Sequence, residues 1–439
     1  MITKMSWRDH LDVGKQSTFH IYKILVALVA GVFVARALGP ENLGILALVY
    51  AVCFVLSPCI SLGCGLNLLK EVRQIKEPNK QQYLLWALVA NKLTYKLGWL
   101  TLSILLLILI GIQILGIEGN WSLAILCLVC YLLGVTLELK GTSTTLIVTN
   151  LKEKLKRDCV GATICSSIKV ASTFLITPEQ IILGSFLANL GESIFLRFSN
   201  LQLSRPIATN STNPEIEKND PDQKIEQQIK QKSRSLFKEG MHLLPTTLIT
   251  EVSETIKKFT LAFSHSPLTQ SIGENREDAG KKIVGEYSIA QRQAVLLTLT
   301  GQTLYERFAG ATPLKIAAIY TLGAAIITAL TLPLIPILYG PEFKDAMVTG
   351  AILLVPNSLT IIAQCLTAIM VSLSLTKKAS KIRIASTMTT LIICPVLIPL
   401  LSIVGLALAV IIGETICILW TYLTIKRQKV LPETAKKLI

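Results

Sequence analysis

Charged side chains inside long apolar runs are the residues of this sequence most suited to chemistry. Glu251 stands near the middle of one run, and Glu254, Lys257 and Lys258 follow it at helical spacing. A charge at the centre of a membrane helix costs roughly 2.5–3.5 kcal/mol on insertion scales, so such a residue usually faces a cavity or a partner. The pattern is typical of a transport site, in which cations bind an anionic substrate and carboxylates couple to protons or sodium.

Two more cations extend this candidate site. Arg292 lies about two turns into a later apolar run, and Lys23 lies within the first run. The predicted substrate-binding cations are Lys23, Lys257, Lys258 and Arg292, and the predicted ion-coupling carboxylates are Glu251 and Glu254. For Lys257 and Lys258, an internal ion pair or snorkelling at a helix end explains the charge equally well. That second interpretation is preferred for Lys92, Lys96, Glu138, Glu192 and Glu414.

The composition requires a membrane around these residues. Of 439 residues, 51% are hydrophobic and 16% are charged, and the mean hydropathy is +0.56. Ordinary soluble domains carry about 25% charged residues. Water cannot solvate so much apolar surface, whereas a bilayer can. A soluble enzyme is therefore excluded.

The sequence lacks the common signatures of enzymes and metal sites. Gly280 and Lys281 resemble the end of a phosphate loop, but Gly273 stands seven positions before Gly280 and no Ser or Thr follows the lysine. No nucleophile elbow or zinc-protease helix is present. Cys127 and Cys130 form a CxxC pair that no second pair or histidine cluster completes. The chain is expected to have no enzymatic activity and no resident metal or cofactor, a proton or sodium gradient being the candidate driving force.

Twelve segments are long and apolar enough to span a bilayer, which takes about 20 residues per helix. We therefore predict an all-α polytopic membrane protein. The predicted segments are 16–38, 43–66, 83–112, 121–146, 159–178, 179–199, 236–264, 284–308, 314–338, 346–374, 383–400 and 402–424.

The distribution of charge predicts the orientation of these helices. Of the 43 Lys and Arg residues, 31 fall in loops and tails on one side of the predicted membrane, five on the other side and seven within helices. Because Lys and Arg collect in cytoplasmic loops, both termini are predicted to be cytoplasmic. The same rule explains the net charge of +15 without nucleic acid as a partner.

A polar stretch divides the chain into two halves. Residues 204–235 are rich in Asn, Gln, Lys, Glu and Pro and read as a flexible cytoplasmic linker. The predicted domains are a six-helix bundle over 1–203 and a second six-helix bundle with a short cytoplasmic tail over 236–439. Weak internal similarity supports a repeat, since Gly44 opens the second helix as Gly285 opens the eighth.

Several short motifs resemble those of polysaccharide and O-antigen flippases. The stretch GVFVARALGPENLG from Gly31 to Gly44, with SLGCGL after it, resembles the first-hairpin signature of that family. The stretch VGEYSIAQR from Val284 to Arg292 is similar to the family's eighth-helix opening, and LYGPEF from Leu338 is similar to its turn before the tenth helix. The resemblance covers most of the chain.

This resemblance implies membership of the multidrug/oligosaccharidyl-lipid/polysaccharide exporter superfamily. It implies two six-helix bundles around a central cavity and, as function, the movement of a polyprenyl-diphosphate-linked oligosaccharide or a polysaccharide precursor across the plasma membrane by alternating access. Arg36 matches the arginine of the first motif and is added to the predicted substrate-binding residues. The expected partners are the lipid-linked glycan and membrane lipids, with glycan-assembly enzymes as a candidate class, and a monomer is expected.

The sequence leaves two alternatives open. A multidrug exporter of the same superfamily would favour carboxylates and aromatic residues for cationic drugs, and aromatic residues make up only 6% of this chain. A glycan polymerase or a membrane scaffold is the alternative from another class. A polymerase would be expected to cluster catalytic Arg or His in a large outer loop, whereas the predicted loop 265–282 holds one histidine, His265.

Overall fold

The structure is a computed structural model, and the part of the chain that it describes is helical, with short turns and no strands. The described residues are 7–61, 80–114, 121–139, 142–143, 151–209, 231, 234, 237, 244–245, 248–249, 251–263, 276–293, 314–372 and 375–427. The all-α prediction is confirmed. The predicted linker, 204–235, lies mostly outside these residues.

The helices follow the predicted apolar segments. Those before the linker are α1 (Trp7–Ser61), α2 (Lys80–Ile114), α3 (Trp121–Leu137), α4 (Leu151–Ser172) and α5 (Pro178–Thr209). Those after it are α6 (251–263), α7 (Arg276–Gln293), α8 (Leu314–Thr331), α9 (Ile335–Tyr339), α10 (Lys344–Ser372) and α11 (Thr376–Lys426). Short 3₁₀ turns, Leu332–Leu334 and Pro341–Phe343, flank α9.

Six stretches of helix within the described residues are long and apolar enough to cross a membrane. They are Ile21–Ile60, Ala87–Ile110, Pro178–Asn200, Ala317–Tyr339, Pro341–Thr367 and Lys377–Lys426. The first has 40 residues and the last has 50, about twice the length that one crossing needs. The α6 and α7 helices are shorter and carry five of the seven predicted site residues.

Each double-length stretch is broken where the sequence predicts a boundary between two segments. Gly39 interrupts α1 with φ 69° and ψ 174°, between predicted segments 16–38 and 43–66. Such a positive φ costs glycine little, and Pro40 then suits the first position of the next helix. A similar Gly-Pro pair separates the stretches Ala317–Tyr339 and Pro341–Thr367, where Gly340 has φ 119° and Pro341 follows it. In α11 the break falls at Ser402, with φ 51°, which is the first residue of predicted segment 402–424.

The α7 helix begins earlier than hydropathy predicts. It starts at Arg276, eight residues before the predicted segment 284–308. Hydropathy reports which residues favour lipid, and the polar stretch from Arg276 to Lys282 is helical without being apolar. Part of the predicted loop 265–282 is therefore helix.

The chain forms two compact units. One contains Ala35–Ala51 together with Ile249–Ile439, and we call it the C-terminal unit; the other contains Val52–Leu248 and the part of α1 before Ala35, and we call it the N-terminal unit. In the C-terminal unit Leu261, Val284 and Leu406 belong to one buried apolar cluster. The predicted domains 1–203 and 236–439 stay a prediction.

Aromatic contacts fill the interior of the N-terminal unit. The ring of Tyr131 packs edge-on against Phe54 at 5.9 Å and against Phe186 at 6.5 Å between centroids. Large apolar side chains such as Leu107 are exposed on the outside of the helices, where lipid would surround them.

Candidate functional site

A polar cavity lies inside the C-terminal unit. It has a volume of about 140 Å³ and is bounded by α6, α7, α10 and α11. Twelve of its sixteen lining residues are polar or charged, although α10 and α11 are otherwise apolar helices. Burying so many polar groups is costly unless they are paired or bind something, so this cavity is the candidate functional site.

Helical spacing places these polar groups on facing surfaces. On α11, Arg383 is followed by Ser386, Thr387 and Thr390, so their side chains share one face. On α10, Asn357 and Thr360 follow each other at the same spacing of three. The local sequence thus carries a polar stripe along each of two apolar helices.

Two ion pairs stand in the cavity wall. Lys257 Nζ lies 2.5 Å from Glu254 Oε1, one helical turn apart. Arg383 Nη1 lies 2.7 Å from Glu414 Oε2, and Thr360 Oγ1 donates a hydrogen bond to the other oxygen of Glu414 at 3.3 Å. The side chains of Lys257 and Glu414 are only 9% exposed, so each buried charge is compensated by its partner.

Neutral groups complete the wall. Gln291 Nε2 donates a hydrogen bond to the Tyr287 hydroxyl at 2.6 Å. Ser386 Oγ donates to the carbonyl oxygen of Gly413 at 2.7 Å, across the two halves of α11. Both hydroxyl oxygens keep acceptor capacity toward the cavity.

Five of the seven predicted site residues come together in this unit. Glu254 and Lys257 line the cavity. Lys258 is close enough to interact electrostatically with Glu251, Glu254, Lys257 and Arg292. The charges selected from α6 and from the end of α7 therefore form one cluster, beside and within the cavity wall.

Lys23 and Arg36 lie elsewhere and have other contacts. In the N-terminal unit, Lys23 Nζ lies 3.5 Å from Asp158 Oδ2, which also pairs with Lys154 at 2.5 Å. In the C-terminal unit, Arg36 Nε and Nη2 donate to the carbonyl oxygens of Leu338 at 2.7 Å and Ile337 at 2.8 Å. Arg36 thus caps the carbonyl end of α9, and a substrate-binding role for either cation stays a prediction.

Sequence reasoning did not select several residues of the cavity. Arg383 begins the predicted segment 383–400, directly after a stretch that holds three lysines, and it was not selected. Glu414 was interpreted as an internal ion-pair residue, which agrees with its contact with Arg383. Ser386, Thr387 and Thr390 were not selected. The signal that could have found them is the density of hydroxyls, Ser386-Thr-Met-Thr-Thr, inside an apolar helix.

Among the described residues, no group of three or more His, Cys, Asp or Glu side chains could hold a metal ion. The buried Cys127 and Cys130 are free thiols. The candidate site therefore consists of paired charges, hydroxyls and amides.

The chain is similar in structure to several solved membrane transporters. No family model and no curated protein sequence matches the chain. An inward-facing MATE multidrug resistance transporter of the MOP superfamily is similar with a TM-score of 0.60 and 17% identity, over 93% of this chain and 96% of the other. The lipid II flippase MurJ in an inward closed conformation is similar with a TM-score of 0.58 and 12% identity, over 96% and 88%. An outward-facing MATE multidrug resistance transporter is similar with a TM-score of 0.53 and 14% identity, over 94% of this chain and 95% of the other.

The chain has the fold of these transporters. The predicted polytopic membrane architecture is thereby confirmed. Identities of 12–17% leave the substrate open, because a shared fold does not determine what is bound. The charges and hydroxyls of the site are what indicate the class of substrate.

Proposed function

We propose that the protein is a flippase or exporter that moves a polyprenyl-diphosphate-linked oligosaccharide or polysaccharide precursor across the plasma membrane by alternating access. Such a substrate needs cations for its diphosphate, a wet surface for its sugars and an apolar surface for its lipid tail. The fold that the chain shares with transporters supports the movement of a substrate, and the charged cluster supports an anionic one.

The observation that carries this proposal is the balance of charge in the C-terminal unit. The cations Lys257, Lys258, Arg292 and Arg383 stand with the carboxylates Glu251, Glu254 and Glu414. These seven side chains carry a net charge of +1, in apolar surroundings where any excess charge attracts its opposite strongly. An anionic headgroup would be drawn to Lys258 and Arg292.

In this proposal the carboxylates couple transport of the substrate to an ion gradient. Glu251 and Glu254 bind a proton or a sodium ion, whose gradient drives the conformational cycle. The partners are membrane lipids and glycan-assembly enzymes, and the protein acts as a monomer with both termini in the cytoplasm, as the excess of Lys and Arg on one side of the predicted membrane indicates.

One observation favours a second function, the export of cationic drugs. The Glu254 side chain is 40% exposed, whereas its partner Lys257 is 9% exposed. The carboxylate is thus the more accessible member of the pair and could receive a cation. The MATE transporters that share the fold carry multidrug resistance in their names.

The test follows lipid-linked oligosaccharide in cells depleted of the protein and determines the membrane face on which it accumulates. Accumulation on the cytoplasmic face, reversed when the protein is restored, is the expected result. Unchanged lipid-linked glycans together with a changed resistance to cationic drugs would replace the first function by the second.

A further inference from the structure

We infer that the cavity of the C-terminal unit is a binding site for one uncharged sugar ring, separate from the cations that would hold a diphosphate. This inference rests on the proposed function, which supplies the glycan. It assigns the sugar to the polar wall formed by α6, α7, α10 and α11, and it assigns the anion to Lys258 and Arg292 beside that wall.

The charges that line the cavity cancel each other. Glu254 pairs with Lys257 at 2.5 Å, and Glu414 pairs with Arg383 at 2.7 Å. A diphosphate would need more cations than carboxylates in the wall, and an organic cation would need more carboxylates than cations. Paired charges with hydrogen-bonding capacity left over instead suit a neutral ligand, because the pair stays intact when such a ligand binds.

The cavity wall also holds polar groups whose hydrogen bonds are unmet. Ser253 and Thr387 are only 3% and 8% exposed, and both line the cavity. Neither hydroxyl, nor the amide of Asn357, has a hydrogen-bond partner within the described part of the chain. Buried polar groups are nearly always hydrogen-bonded, so the two hydroxyls point to a ligand that both donates and accepts. A sugar hydroxyl does both. The half-buried amide of Asn357 is open to the same ligand.

The size and the apolar part of the wall agree with one ring. An engineered protein cavity of about 150 Å³ admits benzene, a six-membered ring, and this cavity has about 140 Å³. Pockets for drug-sized ligands are larger, at roughly 300–1,000 Å³. Leu353, Leu406 and Val410 line the same cavity and offer an apolar surface to the C–H face of a pyranose.

The test is saturation-transfer NMR on the full chain in lipid nanodiscs, with glucose, galactose and N-acetylglucosamine as separate probes. At least one of these sugars should give a saturable signal. Thr387→Val removes an unpartnered hydroxyl with little change of shape, and it should weaken that binding about five- to tenfold, the loss of one neutral hydrogen bond. Asn357→Leu should do the same.

The matched control is Thr321→Val. Thr321 is buried on α8, outside the cavity wall, and its hydroxyl also has no hydrogen-bond partner among the residues that the structure describes. This variant should bind the sugar as the unmodified protein does. Equal weakening by Thr387→Val and Thr321→Val would overturn the inference, and so would the absence of signal from all three sugars. If no sugar binds and sodium ions stabilise the protein in a way that Thr387→Val abolishes, the cavity is a cation site instead.

The outcomes separate this inference from the proposed function. Sugar binding that depends on Thr387, in a protein that moves no lipid-linked glycan, would support the sugar site and reject the flippase. Glycan transport by a protein that binds none of the sugars would support the flippase and reject this site.

Discussion

Gly44 and Gly285 make reciprocal contacts in the C-terminal unit. A Cβ atom at Gly44 would collide with the carbonyl group of Lys281, and a Cβ atom at Gly285 would collide with the carbonyl group of Pro40. Lys281 stands four residues before Gly285, and Pro40 stands four residues before Gly44. The two glycines that the sequence aligns as repeat equivalents thus allow two antiparallel helices to approach backbone to backbone, as small residues do in membrane helix pairs.

This contact predicts that Gly44→Ala destabilises the protein. The added methyl group meets backbone, which cannot move aside as a flexible side chain can, so we expect a loss of about 1–3 kcal/mol. Thermal unfolding in detergent measures it. Gly323→Ala is the control, because a Cβ at Gly323 meets nothing within 4 Å and alanine is the better helix former. Equal stability of the two variants would contradict the close contact.

The contacts of Arg36 predict that its removal lowers the stability of the protein, an effect that can be measured apart from substrate binding. Its two hydrogen bonds to the carbonyls of Ile337 and Leu338 satisfy the end of α9, and hydrogen bonds of charged groups contribute about 1.5–3 kcal/mol. Arg36→Ala should therefore lower the melting temperature. If the melting temperature is unchanged while the substrate concentration for half-maximal transport rises, Arg36 acts on the substrate instead.

The pair formed by Arg383 and Glu414 predicts strong non-additivity. Glu414→Gln leaves the guanidinium of Arg383 buried without its countercharge, a loss of about 3–5 kcal/mol. The double variant Arg383→Met with Glu414→Leu should cost much less than the sum of the two single changes, and unfolding measurements on all three variants test this. Glu153→Gln is the control, since Glu153 pairs with Arg157 at 3.0 Å and is 35% exposed, where such pairs contribute about 0–1 kcal/mol. Simple additivity in α11 would show that the pair is not coupled.

The helices were predictable because few backbone conformations can span a bilayer. Backbone groups in lipid must be bonded within a helix, so apolar runs such as 83–112 become helices, and Gly39 with Pro40 marks a break by local chemistry alone. The start of α7 at Arg276 was missed, because hydropathy detects lipid contact and this polar turn has little. Such helices and breaks can be predicted because each depends on residues that are close together in the sequence.

The partners of the charged side chains could be identified only from the structure. Sequence alone was enough to select five charged residues because a charge inside a membrane helix is costly. The structure brings these five close together: Glu251, Glu254, Lys257, Lys258 and Arg292. The partner of Glu414 stands 31 residues away, and the partner of Lys23 stands 135 residues away. Nothing local specifies such pairs. The hydroxyl of Thr387 was missed because a threonine in an apolar helix normally bonds to its own backbone.

Lys258 gives the prediction that bears most directly on transport. It interacts with Glu251, Glu254, Lys257 and Arg292. In the proposed function, Lys258 and Arg292 bind the diphosphate of the substrate. Lys258→Ala and Arg292→Ala should each reduce glycan delivery at least tenfold while the protein level in the membrane stays unchanged. The measured quantity is lipid-linked glycan at the outer face, relative to membrane protein.

Lys92→Ala is the matched control for Lys258→Ala. Lys92 lies in α2 of the N-terminal unit and its side chain is exposed, so its removal should leave delivery within about twofold, as surface changes usually do. Normal delivery by both Lys258→Ala and Arg292→Ala would refute the anion-binding role of this cluster. Delivery restored by Lys258→Arg would instead show that the positive charge, which both side chains share, is the property that transport requires.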